Sequence, residues 1–98
     1  MSYTLYILEC VNKSYYIGYT TDLQRRYQEH CEGSSKCKYT RSFPPKKIAA
    51  SWVLNHPLST ILKIEHAMKK LPKKNKTRLI EDPSLFDQWF LESSKQKN

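Results

Sequence analysis

Hydrophobic and polar positions alternate from Tyr3 to Cys10, with Tyr3, Leu5 and Ile7 on one face and Thr4, Tyr6, Leu8 and Cys10 on the other. That period of two predicts a β-strand. Val11-Asn12-Lys13-Ser14 supplies turn residues, and a second alternating run sets Tyr15, Ile17 and Tyr19 against Tyr16 and Gly18. So short a loop predicts an antiparallel hairpin, with Tyr6 and Tyr16 on one face near the start of the next element. A third strand is expected over Lys46–Leu54, where Ile48, Ala50, Trp52 and Leu54 alternate with Lys47, Ala49, Ser51 and Val53. Three strands make a stable sheet when a helix covers one face.

The period changes after Gly18. Thr21 and Gln24 match a capping box, and Asp22 in the first turn suits the positive end of a helix dipole. Leu23, Tyr27 and His30 recur at helical spacing with Arg26 in the same stripe, while Gln24, Arg25, Gln28 and Glu29 face outward. An inward Arg costs several kcal/mol unless it meets an anion, so this stripe is the first sign of a site. Ser59 is the expected N-cap of a helix reaching Leu71, with Ile61, Ile64, Met68 and Leu71 as its apolar stripe and Glu65 among them. Pro72 opens a very basic helix to Glu81. Leu85, Trp89 and Phe90 predict a last helix from near Pro83 and Ser84 that closes the core. Residues 1–92 then form one domain, and 93–98 a frayed tail.

Composition narrows the class. Ninety-eight residues allow one modest core, and 39% hydrophobic with 12% aromatic residues are globular values. No apolar run reaches the roughly 20 residues of a membrane span, and no secretion signal opens the chain, so a soluble cytoplasmic protein is expected. The net charge of +8 points to a polyanionic partner, nucleic acid being the commonest; the competing reading is solubility alone. Uneven placement favours binding: Lys36, Lys38, Arg41, Lys46 and Lys47 form one cluster, and Lys63, Lys69, Lys70, Lys73, Lys74, Lys76 and Arg78 a second. Lys36, Lys38 and Arg41 of the first lie in a polar loop, Glu32 to Pro45, of a length more often functional than idle. Cys10, Cys31 and Cys37 read as free thiols in a reducing compartment. A zinc site from His30, Cys31 and Cys37 lacks a Cys-x-x-Cys knuckle and a fourth ligand.

A strand with Tyr16-Ile17-Gly18, then Asp22-Leu23 and Arg26, then His30, preceded by Thr4-Leu5-Tyr6, resembles the GIY-YIG endonuclease superfamily. The likeness is strongest to its small single-domain bacterial members and runs from Tyr3 to roughly Ile80. Thr4 stands where the family usually has Gly, a position that supplies backbone rather than chemistry. The resemblance implies an α+β fold, a three-stranded antiparallel sheet flanked by helices.

It also implies roles. The family's two motif tyrosines fall on Tyr6 and Tyr16, its essential arginine on Arg26, its helix histidine on His30 and its metal-binding glutamate on Glu65. A loop tyrosine or histidine corresponds to Tyr39, and a site-lining asparagine to Asn75. Phosphodiester hydrolysis needs a deprotonated water, a cation on the phosphate oxygens and relief for the leaving group. With one carboxylate, a single Mg²⁺ or Mn²⁺ on Glu65 is expected. Arg26 suits a bidentate phosphate clamp. Tyr6 and Tyr16 share activation and orientation of the water, with either one as base and His30 as acceptor of the phenolic proton. Lys36, Lys38, Arg41, Lys73 and Lys74 are the candidates for gripping the DNA backbone. The expectation is a metal-dependent DNA endonuclease of repair or recombination type with weak sequence specificity, with an unidentified protein partner as a candidate source of targeting. The alternatives are a nucleic-acid-binding module that kept only the scaffold, and a basic protein docking on the ribosome or another partner.

Overall fold

The computed structural model of the chain describes residues 2–33, 40 and 42–95. Three strands form one antiparallel sheet: β1 (Tyr3–Cys10), β2 (Tyr15–Thr20) and β3 (Pro45–Leu54), in the order β2-β1-β3. Four helices whose bounds lie within the described residues flank it: α1 (Leu23–Glu32), α2 (Leu58–Lys69), α3 (Lys73–Glu81) and α4 (Leu85–Lys95). The expected sheet and its helices are therefore present. No helix among the described residues is long and apolar enough to cross a membrane.

The central strand is covered on both faces, and Leu5, Tyr6, Ile7 and Leu8 are all buried. One face carries the dry core, where Leu5, Ile7 and Ile17 meet Ile64 and Met68 of α2, Leu79 of α3 and Phe86 of α4. Each such side chain contributes about 1.5–3 kcal/mol on burial. The other face carries Tyr6 and Tyr16 against α1, whose one fully buried residue is His30.

Several local expectations shift. Asp22, not Thr21, caps α1: its Oδ1 accepts from the Arg25 N–H, while Thr20 Oγ1 accepts from the Asp22 N–H. The chain therefore enters the helix one residue later. Helix α2 begins after Pro57 rather than at Ser59, with no side-chain cap, because extended Pro57 sets the entry by itself. In β3, Ile7 faces Ala50 but the next residue, Leu8, faces Ile48. Ala49 is thus an extra residue, and the bulge moves Ile48 to the face opposite Ala50. Phe86, absent from the expected closing set, is the most buried residue of the described part of α4 and stacks on Trp52 at 4.9 Å.

Two ties position α3. Lys73 Nζ donates to the carbonyl oxygen of Lys13 in the β1–β2 turn at 2.6 Å and sits 5.4 Å from the centre of the Tyr15 ring. The Tyr15 hydroxyl pairs with Thr77 Oγ1 at 3.1 Å. The basic helix is thereby fastened to the hairpin that carries both candidate tyrosines.

Candidate active site

A cleft of about 300 Å³ opens at the outer edge of the sheet. Tyr6 comes from β1, Tyr16 and Gly18 from β2, Arg26 from α1 and Glu65 from α2, with Tyr19 and Thr20 completing the wall. Among the described residues β2, which supplies Tyr16, Gly18, Tyr19 and Thr20, is an edge strand of the sheet. Four of the five expected catalytic side chains therefore line the same space.

Gly18 lets them approach. It pairs directly with Tyr6 across the strands, and a Cβ there would fall 2.6 Å from the Tyr6 hydroxyl and 3.3 Å from the Tyr16 ring. Any side chain would push the phenol aside, so the glycine is required for space rather than for backbone angle.

The fifth expected residue, His30, stands behind the tyrosines. It is fully buried; its Nε2 lies 3.0 Å from the Tyr6 hydroxyl and its ring 4.9 Å from that of Tyr16, edge-on. Its Nδ1 lies 2.7 Å from Thr40 Oγ1. Burial, then the nearby Arg26 charge, lower its pKa to about 4, while Glu29 opposes the shift. The ring is thus neutral at pH 7 and holds one N–H. With that proton on Nδ1, donated to Thr40, Nε2 accepts from the Tyr6 phenol; the other tautomer reverses both bonds. Either way Tyr6 is held by a closed hydrogen-bonded chain, and both ring nitrogens are engaged, so His30 offers nothing to a zinc ion. Among the described residues no group of three His, Cys, Asp or Glu side chains could hold a metal, while Cys37 lies outside them.

Arg26 meets the anion its position demanded. Its Nη1 donates to Glu29 Oε1 at 3.1 Å, one helical turn on. Glu29, expected to face outward, is instead half-buried beside it. The Glu65 side chain is 16% exposed and forms a loose ion pair with Lys69 at 3.8 Å. It is the one carboxylate lining the cleft among the described residues. An acidic oxygen in a polar recess beside two phenols fits a hard divalent cation that keeps most of its sites for water and phosphate.

The remaining expected residues spread out. Lys74 is exposed on α3, and Lys73 is spent partly on the hairpin turn. Asn75 lines a separate recess between α3 and α4. Lys36, Lys38, Tyr39 and Arg41 lie outside the described residues. Thr40 had no signal in the pattern, since its partner is ten residues away and only the fold brings them together.

Sheet, helices and cleft together define a nuclease-type domain. Residues 2–78 match the family described as the GIY-YIG catalytic domain, and the chain belongs to that family. Nucleases of this family generally use divalent metal ions, and such a domain implies a nucleic-acid substrate. The chain is 36% identical to a UPF0213 protein of Halalkalibacterium halodurans over 82% of its own length and 83% of the relative's. Against a UPF0213 protein of Listeria welshimeri it is 45% identical, covering 72% and 77%. The solution NMR structure of the UPF0213 protein from Bacillus halodurans has the same fold, with a TM-score of 0.52 and 36% identity over 83% of this chain and 84% of that one.

Proposed function

We propose that this protein is a metal-dependent DNA endonuclease of repair or recombination type that acts in the cytoplasm with weak sequence specificity. The observation behind the reading is that two phenols, a guanidinium and a carboxylate from four separate elements line one cleft. Glu65 is the side chain that would hold Mg²⁺ or Mn²⁺. When bound, such an ion supplies positive charge to the phosphate oxygens and acidifies a water.

The chain's own groups do the rest. Arg26 binds the scissile phosphate and offsets the charge that grows as the attacking oxygen arrives. Glu29 holds the guanidinium in place until then. One of Tyr6 and Tyr16, as the phenolate that nearby positive charge favours, takes the proton of the attacking water while the other orients it. As the new P–O bond forms, the bond to the leaving oxygen breaks and that oxygen takes a proton from solvent. His30 fixes the Tyr6 hydroxyl through Nε2. Since burial and Arg26 both oppose an imidazolium, His30 orients the phenol rather than storing its proton.

The test is a cleavage panel over branched, nicked, single-stranded and duplex DNA with Mg²⁺ or Mn²⁺. Arg26→Ala and Glu65→Ala should each lower the rate by about 10³-fold, with salt-sensitive DNA binding in EDTA kept within a few-fold. Variants that cut as fast as the parent would end the proposal. Binding without cleavage by the parent protein would instead indicate a nucleic-acid-binding module.

A further inference from the structure

The recess between α3 and α4, about 220 Å³, is separate from the tyrosine cleft. Leu71, Leu79, Leu85 and the Trp89 ring line its apolar interior. Its mouth carries Asn75 and Arg78 from α3 and Gln88 from α4. These three side chains are exposed and make no hydrogen bond or ion pair to other described residues. An apolar slot with an indole in its wall and unengaged amide and guanidinium groups at its lip matches one kind of ligand. That ligand is a flat heteroaromatic ring with donors and acceptors along its edge, such as a nucleobase.

Charge orients it. Helix α3 carries Lys73, Lys74, Lys76 and Arg78 within nine residues, with a single acid, Glu81, at its end. Helix α4 instead has an acid, Asp87, in its first turn, and the nearby Asp82 is occupied by Ser84. A strand's phosphates therefore favour the α3 side, and its base points across the recess toward α4. The ties from Lys73 and Tyr15 fasten α3 to the hairpin bearing Tyr6 and Tyr16, so one wall of the recess is joined directly to the strands of the tyrosine cleft.

We infer that this recess receives one unpaired base of single-stranded DNA, a contact that rests on the proposed action of the protein on DNA and adds to it. Its specificity is for an unstacked base rather than for a sequence, since duplex bases cannot enter.

Fluorescence anisotropy in EDTA isolates binding from cutting. The probes are a labelled single-stranded DNA oligomer, an abasic oligomer of the same length and charge, and a duplex. The double variant Asn75→Ala with Gln88→Ala changes two exposed side chains, and its thermal unfolding should match the parent's. It should bind the intact single strand about tenfold more weakly and the abasic strand and duplex within about twofold. Equal weakening on all three probes, or no change on any, overturns the base pocket and leaves a plain phosphate-binding surface. A parent protein that binds none of the probes sinks the pocket and the DNA reading together; one that cuts DNA while the variant shows no discrimination sinks the pocket alone.

Discussion

The two faces of the sheet solve opposite problems with the same strand. Beneath α2, α3 and α4, Leu5 and Ile7 of β1 are packed in a dry apolar cluster. One residue over, Tyr6 is equally buried yet spends its hydroxyl on His30, which spends its other nitrogen on Thr40. The dry face holds the fold by volume and transfer energy. The polar face holds a phenol by hydrogen bonds, at a desolvation cost that must be met bond by bond. No buried side-chain nitrogen or oxygen among the described residues lacks a partner, so that cost is fully met.

The two faces should fail differently. Met68→Ala on the dry face leaves a cavity and should cost about 2–5 kcal/mol in urea unfolding, while cleavage at a permissive temperature stays near the parent's. Acid attacks the other face. His30 stays neutral in the fold, with a pKa of about 4 against an ordinary 6.5. The unfolded chain binds a proton there first. The stability is whole above pH 6.5 and drains as the pH falls toward 4, by up to about 3 kcal/mol. Unfolding curves at pH 7.5 and 4.5 should show this loss, and His30→Gln should remove that part of the slope. Equal pH dependence in the variant would show that carboxylates elsewhere govern it. Thr40→Val keeps the shape but leaves Nδ1 without its partner, and should cost about 1–3 kcal/mol and slow cleavage more than it weakens DNA binding. Smallest is the helix cap: Asp22→Ala should lose about 1 kcal/mol and Thr21→Ala much less, read from thermal midpoints.

The contrast also explains what could be read from the chain. Local periodicity places β1, β2 and the apolar stripe of α2, because Leu5, Ile7, Ile61, Ile64 and Met68 repeat at the spacing of the element that buries them. The conflict of Arg26 and Glu65 with their stripes marks the cleft for the same reason. What escapes is set by non-local contacts. The bulge at Ala49 depends on how β3 registers on β1, and no feature of β3 alone encodes it. Thr40 matters only because α1 brings His30 to it, and Phe86 because Trp52 of β3 lies over it. Thr21 and Asp22 are both capping residues, and the choice between them turns on Thr20 bonding to the Asp22 N–H.

Between the end of β2 at Thr20 and the start of α1 at Leu23 stand two residues, Thr21 and Asp22. That count works as an index pin. Each residue of helix advances its side chains by about 100°, so one inserted residue would turn Arg26 away from Glu65 and His30 away from Tyr6 together. The sheet and its dry core would survive such an insertion, leaving a sound molecule whose working parts no longer mesh.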